Sequence, residues 1–474
     1  MSKFNSTVKN NRTKNFAGGE AFKQNDKMQL ISLLFTSFVK DKFYTSADQE
    51  LEKLKQLVST IPDKKFVAKT AIYTRNEFGM RSISHATASY LAPYLSGTSW
   101  GSSFFRKIIR RPDDITEILS HYSSHSGTKI TNAMRKGFAK ALEEFDEYKL
   151  AKYQGKNKAI SLVDAVRLVH PKNTEAIKGL VYGTIKPANT WETRLTQAGQ
   201  NAKTEEEKDH LKQKAWKDLI LSGDIGYFAL LRNIRNILET DNETIDEALK
   251  LLQDEKRIKN SLVLPFRYQT AIDAITEVNS ERTRDALIAI SNACEISLSN
   301  APVFDGKTLV ALDASASMRG KPITIGSLFA AVLYKTNNAD LMLFHDNAQY
   351  ITLNPQDSLG SLQRQIIQET NYGGTNFHAI FQEANKAYDR IIILSDMQGW
   401  MGFNAPTSSF QAYKDRLETN PKIYSFDLNG YGSLQFPEQN VYEIAGWSDK
   451  VFDLVKMMEE DKNAIINKIE SIDL

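Results

Sequence analysis

A single cysteine, Cys294, occurs in 474 residues, so no disulfide can form within the chain, and this fits a reducing compartment. No run of about 18 apolar residues is present, which excludes a spanning helix. The opening stretch, MSKFNSTVKNNRTKNF, is polar and basic and has no apolar core. It is therefore not a secretory signal, and a cytoplasmic protein is expected. Recognisable catalytic patterns are also missing. GTSWG (97–101) has the spacing of a nucleophile elbow around Ser99, but the segment before it, ASYLAPYLS, is helical and broken by Pro93 where the elbow needs a strand. HYSSH sets His121 and His125 four apart, without the glutamate or third ligand of a zinc helix. NGYGSL has two of the three glycines of a dinucleotide loop. Cys294 lies in an amphipathic helical stretch and reads as a small buried hydrophobe.

What is present is ordinary in bulk and uneven in distribution. Hydrophobic residues make up 41% and charged residues 25%, enough for a large core, and the length predicts two or three domains. The net charge of +3 conceals two opposed halves. Residues 1–303 hold 46 Lys and Arg against 36 Asp and Glu; residues 304–474 hold 14 against 21. A basic half is suited to a polyanion, and a solvated surface that leans positive accounts for it equally well.

The pattern of apolar residues changes at the same place. DKMQLISLLFTSFV, DAVRLV, WKDLILSGDIGYFALLRNIRNIL and RTRDALIAISNACEISL carry them at helical spacing. Breaks fall at IPDKK, LAPYLSGTS, RRPDD, HPKN and IKPANT. Stacked helical hairpins are expected over residues 1–303, although no clean repeat is visible. Beyond residue 305, short β-rich runs (TLVALD, LMLFH, RIIILSD, KIYSFDL) alternate with helical ones. That is the pattern of a doubly wound, Rossmann-like α/β domain over 304–474, with a parallel sheet covered on both faces.

The stretch TLVALDASASM (308–318) ends a strand in an acid followed by two hydroxyls. Ligands of such sheets sit beyond the carboxyl ends of the strands. Asp313, Ser315 and Ser317 share that loop, YGGTN supplies Thr375 before a helix, and IIILSD supplies Asp396. Two carboxylates and three hydroxyls form an all-oxygen set that suits Mg²⁺. The plain alternative is that the acids cap helices. The set resembles the metal-ion-dependent adhesion site of von Willebrand factor A-type domains, in order and spacing. That resemblance implies a bound divalent ion that accepts an acidic ligand from a partner.

The basic half has its own clusters. Residues 101–178 hold 15 Lys and Arg against 9 Asp and Glu. FFRKIIRRP places Arg106, Lys107, Arg110 and Arg111 beside two aromatics, and KLAKYQGKNK has four lysines around Tyr153. Cations neutralise phosphates and aromatics stack on unpaired bases, while a solvated helix face has the same look. Four phrases, NFAGGEAFKQNDKMQLISLLFTSFVKDKFYTS, AVRLVHPKN, WKDLILSGDIGYFALLRNIRNI and LVLPFRYQTA, resemble the TROVE module of Ro-type RNA-binding proteins, including bacterial and phage Ro/Rsr-like members. The resemblance implies HEAT-like repeats curled into a ring within one chain. It further implies single-stranded 3′ ends of structured RNAs in a basic hole, Y-type RNAs on the outer surface, and an exoribonuclease as partner.

It also implies site residues. His170 matches a histidine associated with Y RNA binding, Arg167 lies one helical turn before it, and Lys152, Lys156 and Lys158 fall where outer RNA-contacting cations lie. Alternatively, His170 ends a helix before Pro171 and bonds a free carbonyl. Arg75, Arg81 and His85, in TAIYTRNEFGMRSISHATASYL, are placed at the central hole, with helix packing as the plainer account. The reading is a monomeric, non-catalytic RNA-binding protein of RNA quality control or processing. A metal-dependent protein scaffold is the competing reading. A metal-dependent nuclease is the third, and the shortage of clustered carboxylates argues against it.

Overall fold

The structure is a computed structural model. It describes residues 12–15, 17–23, 25–37, 46–127, 129–155, 158–186, 190–223, 225–240, 244–261, 263–301, 303–401, 406–429, 433–435, 441–445, 455 and 464–474. Among them are nine strands: β1 (Arg12–Lys14), β2 (Glu20–Lys23), β3 (Thr308–Asp313), β4 (Asp340–Phe344), β5 (Ala348–Ile351), β6 (Arg390–Ser395), β7 (Lys422–Asp427), β8 (Ser433–Leu434) and β9 (Val441–Ala445). The N-terminal part is mostly helical and the C-terminal part is an α/β sheet domain, as the residue patterning predicts.

The larger sheet runs β5-β4-β3-β6-β7-β9. Every residue of β3 and β6 is buried, so these strands are covered on both faces. All neighbours are parallel except β4 and β5, a tight hairpin at the edge. The expectation of a parallel sheet is therefore corrected at that edge: AQYI is short and half-exposed, and its apolar content is too low to read as a buried strand. The helix Lys321–Asn337 follows β3 and lies against it. Gly326 allows that approach, since a Cβ there would meet Leu312 Cδ1 at 2.7 Å. The chain passes from β3 to β4 on one side and later returns to β6 on the other. The tips of β3 and β6 thus flank the point where the strand order reverses, which is where such sheets bind ligands.

The chain divides into two compact units, and the division differs from a cut at residue 303. One unit joins residues 303–357 and 361–470 to residues 1–70; the other comprises 71–302 with 358–360 and 471–474. The reason is strand pairing and side-chain bonding across the sequence. β1 pairs β2, and β2 pairs β8, which makes a small antiparallel sheet. The Asn15 amide donates to the Gly399 carbonyl at 2.5 Å. Lys27 binds Asp63 and Glu470, and Lys69 donates to the Glu470 carbonyl.

The 71–302 unit is built of helices. WKDLILSGDIGYFALLRNIRNIL divides into Glu205–Leu221 and Tyr227–Thr240 around Gly223, whose φ of 69° suits glycine. The helix Gly101–Lys107 packs on Asn132–Glu143 where Gly137 removes the obstacle: a Cβ there would lie 2.5 Å from Phe105 Cβ and 2.6 Å from the Ser102 carbonyl. Trp191 stacks on Trp216 at 5.9 Å.

Candidate metal centre and nucleic-acid surface

Four loops at the carboxyl ends of the sheet are tied together by main-chain hydrogen bonds. The Ala314 amide donates to the Phe344 carbonyl, Ala316 to Gly373, Asn376 to His345, and Trp400 to Thr375. Gly374 donates to Asp346 Oδ1 at 2.8 Å. Glycines let these side chains sit close, because a Cβ on Gly373 would meet Asp346 Oδ2 at 2.2 Å and one on Gly374 would meet Met401 Sδ at 2.6 Å. The result places Asp313, Ser315, Ser317, Thr375 and Asp396 on these converging loops, all of them buried.

Their hydrogen bonds leave oxygen uncommitted. Asp313 Oδ1 accepts the Ser315 amide at 2.8 Å, and Oδ2 accepts the Ser395 hydroxyl at 2.5 Å. The Ser315 and Ser317 hydroxyls lie 3.2 Å apart. Asp396 Oδ1 accepts the Gln398 amide at 3.3 Å, while Oδ2 is buried with no hydrogen-bond partner. A buried, unpaired carboxylate oxygen is costly unless a proton or a cation answers it. Burial raises the pKa of both acids. Asp396 is raised further by Asp313 and by Asp427, while the Ser317 hydroxyl and the Gln398 amide act against the rise. A hard, oxygen-seeking cation answers all three facts: the orphaned oxygen, the mutual repulsion and the hydroxyl donors. Among the described residues no three of His, Cys, Asp or Glu gather as a metal site, and the candidate set here is two carboxylates with three hydroxyls.

Sequence reading missed Ser395, Asp346 and Asp427 here. Asp427 was legible: like Asp313, it is the acid closing a buried apolar strand, in KIYSFD. Asp346 was not, because its role depends on a hairpin turn that meets the glycine loop from 28 residues away.

The residues assigned to RNA divide into two groups. Arg75 and His85 are buried, and with Arg81 they converge on Asp114. Arg75 forks onto both carboxylate oxygens at 3.1 and 2.9 Å, and His85 Nε2 lies 3.0 Å from Oδ1. The Arg110 and Arg111 amides also donate to Asp114, whose pKa is held far below the carboxylate range; burial opposes this, and His85 and Arg75 outweigh it. The expectation that these three line a hole gives way to helix packing for Arg75 and His85, since both side chains are buried against Asp114. Arg81, half-buried, is also engaged by Asp113.

The second group is outward. Arg106 pairs with Glu144 at 2.5 Å, Lys107 with Asp473 at 3.5 Å, and Lys158 with Glu117. Arg110, Lys152, Arg167 and His170 have exposed side chains. Arg111 lies over the Tyr153 ring at 4.3 Å, and Lys152 lies 5.7 Å from Tyr153 and 6.0 Å from Tyr148. His170 caps the helix Leu162–Val169 in a left-handed conformation, φ 52°, through its backbone N–H to the Val166 carbonyl. The backbone therefore makes the carbonyl bond considered for its side chain. Lys156 lies outside the described residues.

Ser99 follows a 3₁₀ turn, Ala92–Leu95, rather than a strand, so the elbow geometry is absent. His121 and His125 share the helix Pro112–Ser126, with rings 5.0 Å apart and Tyr90 packed on both.

Comparison with known proteins decides the family. A profile of the TROVE domain matches residues 8–209 and 184–319. The chain belongs to the TROVE family. Residues 307–457 match the Ro60 vWA domain, overlapping the end of the TROVE match. The RNA-binding protein RO60 of Deinococcus radiodurans is 24% identical over 341 residues, 61% of this chain and 64% of that protein. A mouse protein named telomerase protein component 1 is 23% identical over 353 residues, 54% of this chain and 13% of its own length. The chain thus spans less than two thirds of either relative. The crystal structure of the D. radiodurans Ro (RSR) protein superposes with a TM-score of 0.65 at 17% identity, covering 91% of this chain and 99% of that one. The fold is therefore that of a TROVE protein with a vWA domain. Among the described residues no helix is long and apolar enough to cross a membrane.

Proposed function

We propose that this TROVE protein binds RNA without transforming it. In this reading the helical repeats form the ring expected of the family and hold single-stranded 3′ ends of structured RNAs, and a Y-type RNA is held outside by Lys152, Arg167 and His170. The role is in RNA quality control or processing in the cytoplasm, alongside an exoribonuclease. The observation that carries it is the cluster of exposed Lys152 and Tyr148 with half-buried Tyr153 and Arg111, in which cations and rings lie side by side, although Arg111 is also paired with Asp113 at 3.0 Å. Cations there would neutralise phosphates and the rings would meet unpaired bases.

The test is binding of a structured RNA with a free 3′ tail, followed by fluorescence anisotropy as salt is raised. The logarithm of affinity should fall linearly with the logarithm of salt concentration, steeply enough to count several phosphates. A flat response overturns the reading. Labelled RNA incubated with the protein and Mg²⁺ should remain intact, and cleavage would replace it with a nuclease.

The metal centre supports a second function within the same molecule. Asp313, Ser315, Ser317, Thr375 and Asp396 would hold Mg²⁺, which when bound would accept a carboxylate from a protein partner. The unpaired Asp396 Oδ2 favours this. Isothermal titration with Mg²⁺ should give one site, and Asp313→Ala or Asp396→Ala should abolish it. A hundredfold excess of Mg²⁺ over its Kd should stabilise the protein by about 2.7 kcal/mol. Partners that survive ribonuclease but are released by EDTA would make scaffolding the main activity.

A further inference from the structure

Two helices of the 71–302 unit present matched rows. Along Tyr227–Thr240, Phe228, Arg232 and Arg235 recur at i, i+4 and i+7; along Pro265–Thr276, Arg267, Ala271 and Ala274 do the same. That spacing puts each trio on one helix face. The six residues line a single groove of about 290 Å³ that no acidic residue lines. Phe228 is 47% exposed, which is unusual for a large aromatic, and the Arg267 guanidinium lies over its ring at 5.6 Å. Arg235 is occupied by Glu239 at 3.0 Å. Arg232 and Arg267 are exposed and make no ion pair among the described residues. The alanines leave the opposite wall low.

The groove is held rigid from below. The Tyr227 hydroxyl donates to the Leu252 carbonyl at 2.8 Å and lies 2.9 Å from the Tyr268 hydroxyl, in the buried seam between the same two helices. Burial pushes both phenols up, Tyr268 to about 12, so they stay neutral hydrogen-bonding groups. Tyr227 immediately precedes Phe228 and Tyr268 immediately follows Arg267. The seam therefore fixes the ring and the guanidinium relative to each other before any ligand arrives.

We propose that this groove takes one unpaired nucleotide of single-stranded RNA, with the base on the Phe228 ring and the flanking phosphates on Arg232 and Arg267. The proposal rests on the RNA-binding reading and gives it a site to which none of the cations named from the sequence belongs. A drug-sized ligand uses a pocket of about 300–1,000 Å³, so this groove suits a single base. An acidic peptide would use the arginines and gain little from an exposed phenyl ring; a base uses both.

The test measures anisotropy of a labelled oligouridine on the full chain, across a salt series, with wild type, Phe228→Leu, Phe228→Trp, Arg232→Gln and Arg267→Gln. Phe228→Leu should weaken binding about 5- to 150-fold and leave the salt slope unchanged, with Phe228→Trp restoring affinity. Each arginine variant should lower the slope by about 0.7. Thermal unfolding of each variant checks that it is folded. Folded variants that all bind like a tightly binding wild type overturn the groove and leave the broader reading standing. A wild type that binds neither the oligouridine nor the tailed RNA overturns both. Variants that lose an oligoglutamate peptide while keeping RNA overturn the proposal in favour of an acidic protein partner.

Discussion

Asp114 has the most crowded surroundings of any acid described above. Two guanidinium groups, one imidazole and two main-chain amides point at one fully buried carboxylate. Removing the acid would strand Arg75 inside the fold. Asp114→Ala should therefore cost about 3–5 kcal/mol, read as a shift in the urea midpoint, whereas an exposed pair such as Lys178–Glu175 should be nearly silent. His121 supplies a pH dependence nearby. Burial, then the charges of His125 and His85, lower its pKa to about 4 from 6.5. The folded state thus holds this ring neutral where the unfolded chain would protonate it. Its contribution to stability is complete above pH 6.5 and is lost as pH falls through about 4. Urea midpoints measured at pH 7 and pH 4.5 should differ less in His121→Gln than in wild type.

At the level of elements, the close packing of short helices is as decisive as any charge. Gly137 meets a backbone carbonyl as well as a side chain, and a carbonyl cannot rotate aside. Gly137→Ala should lower stability by about 1–3 kcal/mol, whereas the same change at Gly199, which has open space around it, should not. The strand tip and the loop of Asp313, Ser315 and Ser317 were legible in sequence because their signals are local: a buried strand, an acid at its end and hydroxyls two residues apart. The strand pattern of 304–474 was legible for the same reason, and β5 escaped because a short edge strand needs few apolar residues. The roles of Arg75 and His85 were illegible, since the acid they bind lies 39 and 29 residues away. The groove between Tyr227–Thr240 and Pro265–Thr276 escaped for that reason too. Its phrases carried a family likeness, but only the packing of one helix on the other placed an arginine over a phenylalanine.

For the whole molecule, the decisive contact was the least local. The stretch NFAGGE reads in sequence as the start of a helical module, and its Asn15 instead holds Gly399, 384 residues on. A Cβ at Gly19 would lie 1.9 Å from the Gly399 carbonyl, so the two segments meet backbone to backbone. This contact steadies the loop that carries Asp396. A fragment of residues 304–474 should bind Mg²⁺ more weakly than the full chain in calorimetry, and a flexible fusion of 1–70 to 303–470 should recover the affinity. Equal affinity in fragment and full chain would show that the N-terminal strands do not support the centre.

That embrace also sets a timetable for synthesis. The opening strands leave the ribosome long before β8 and the residues around Gly399 and Glu470 have been translated. Until then β2 has an unpaired edge, and an early arrest of translation would release it with nothing to cover it.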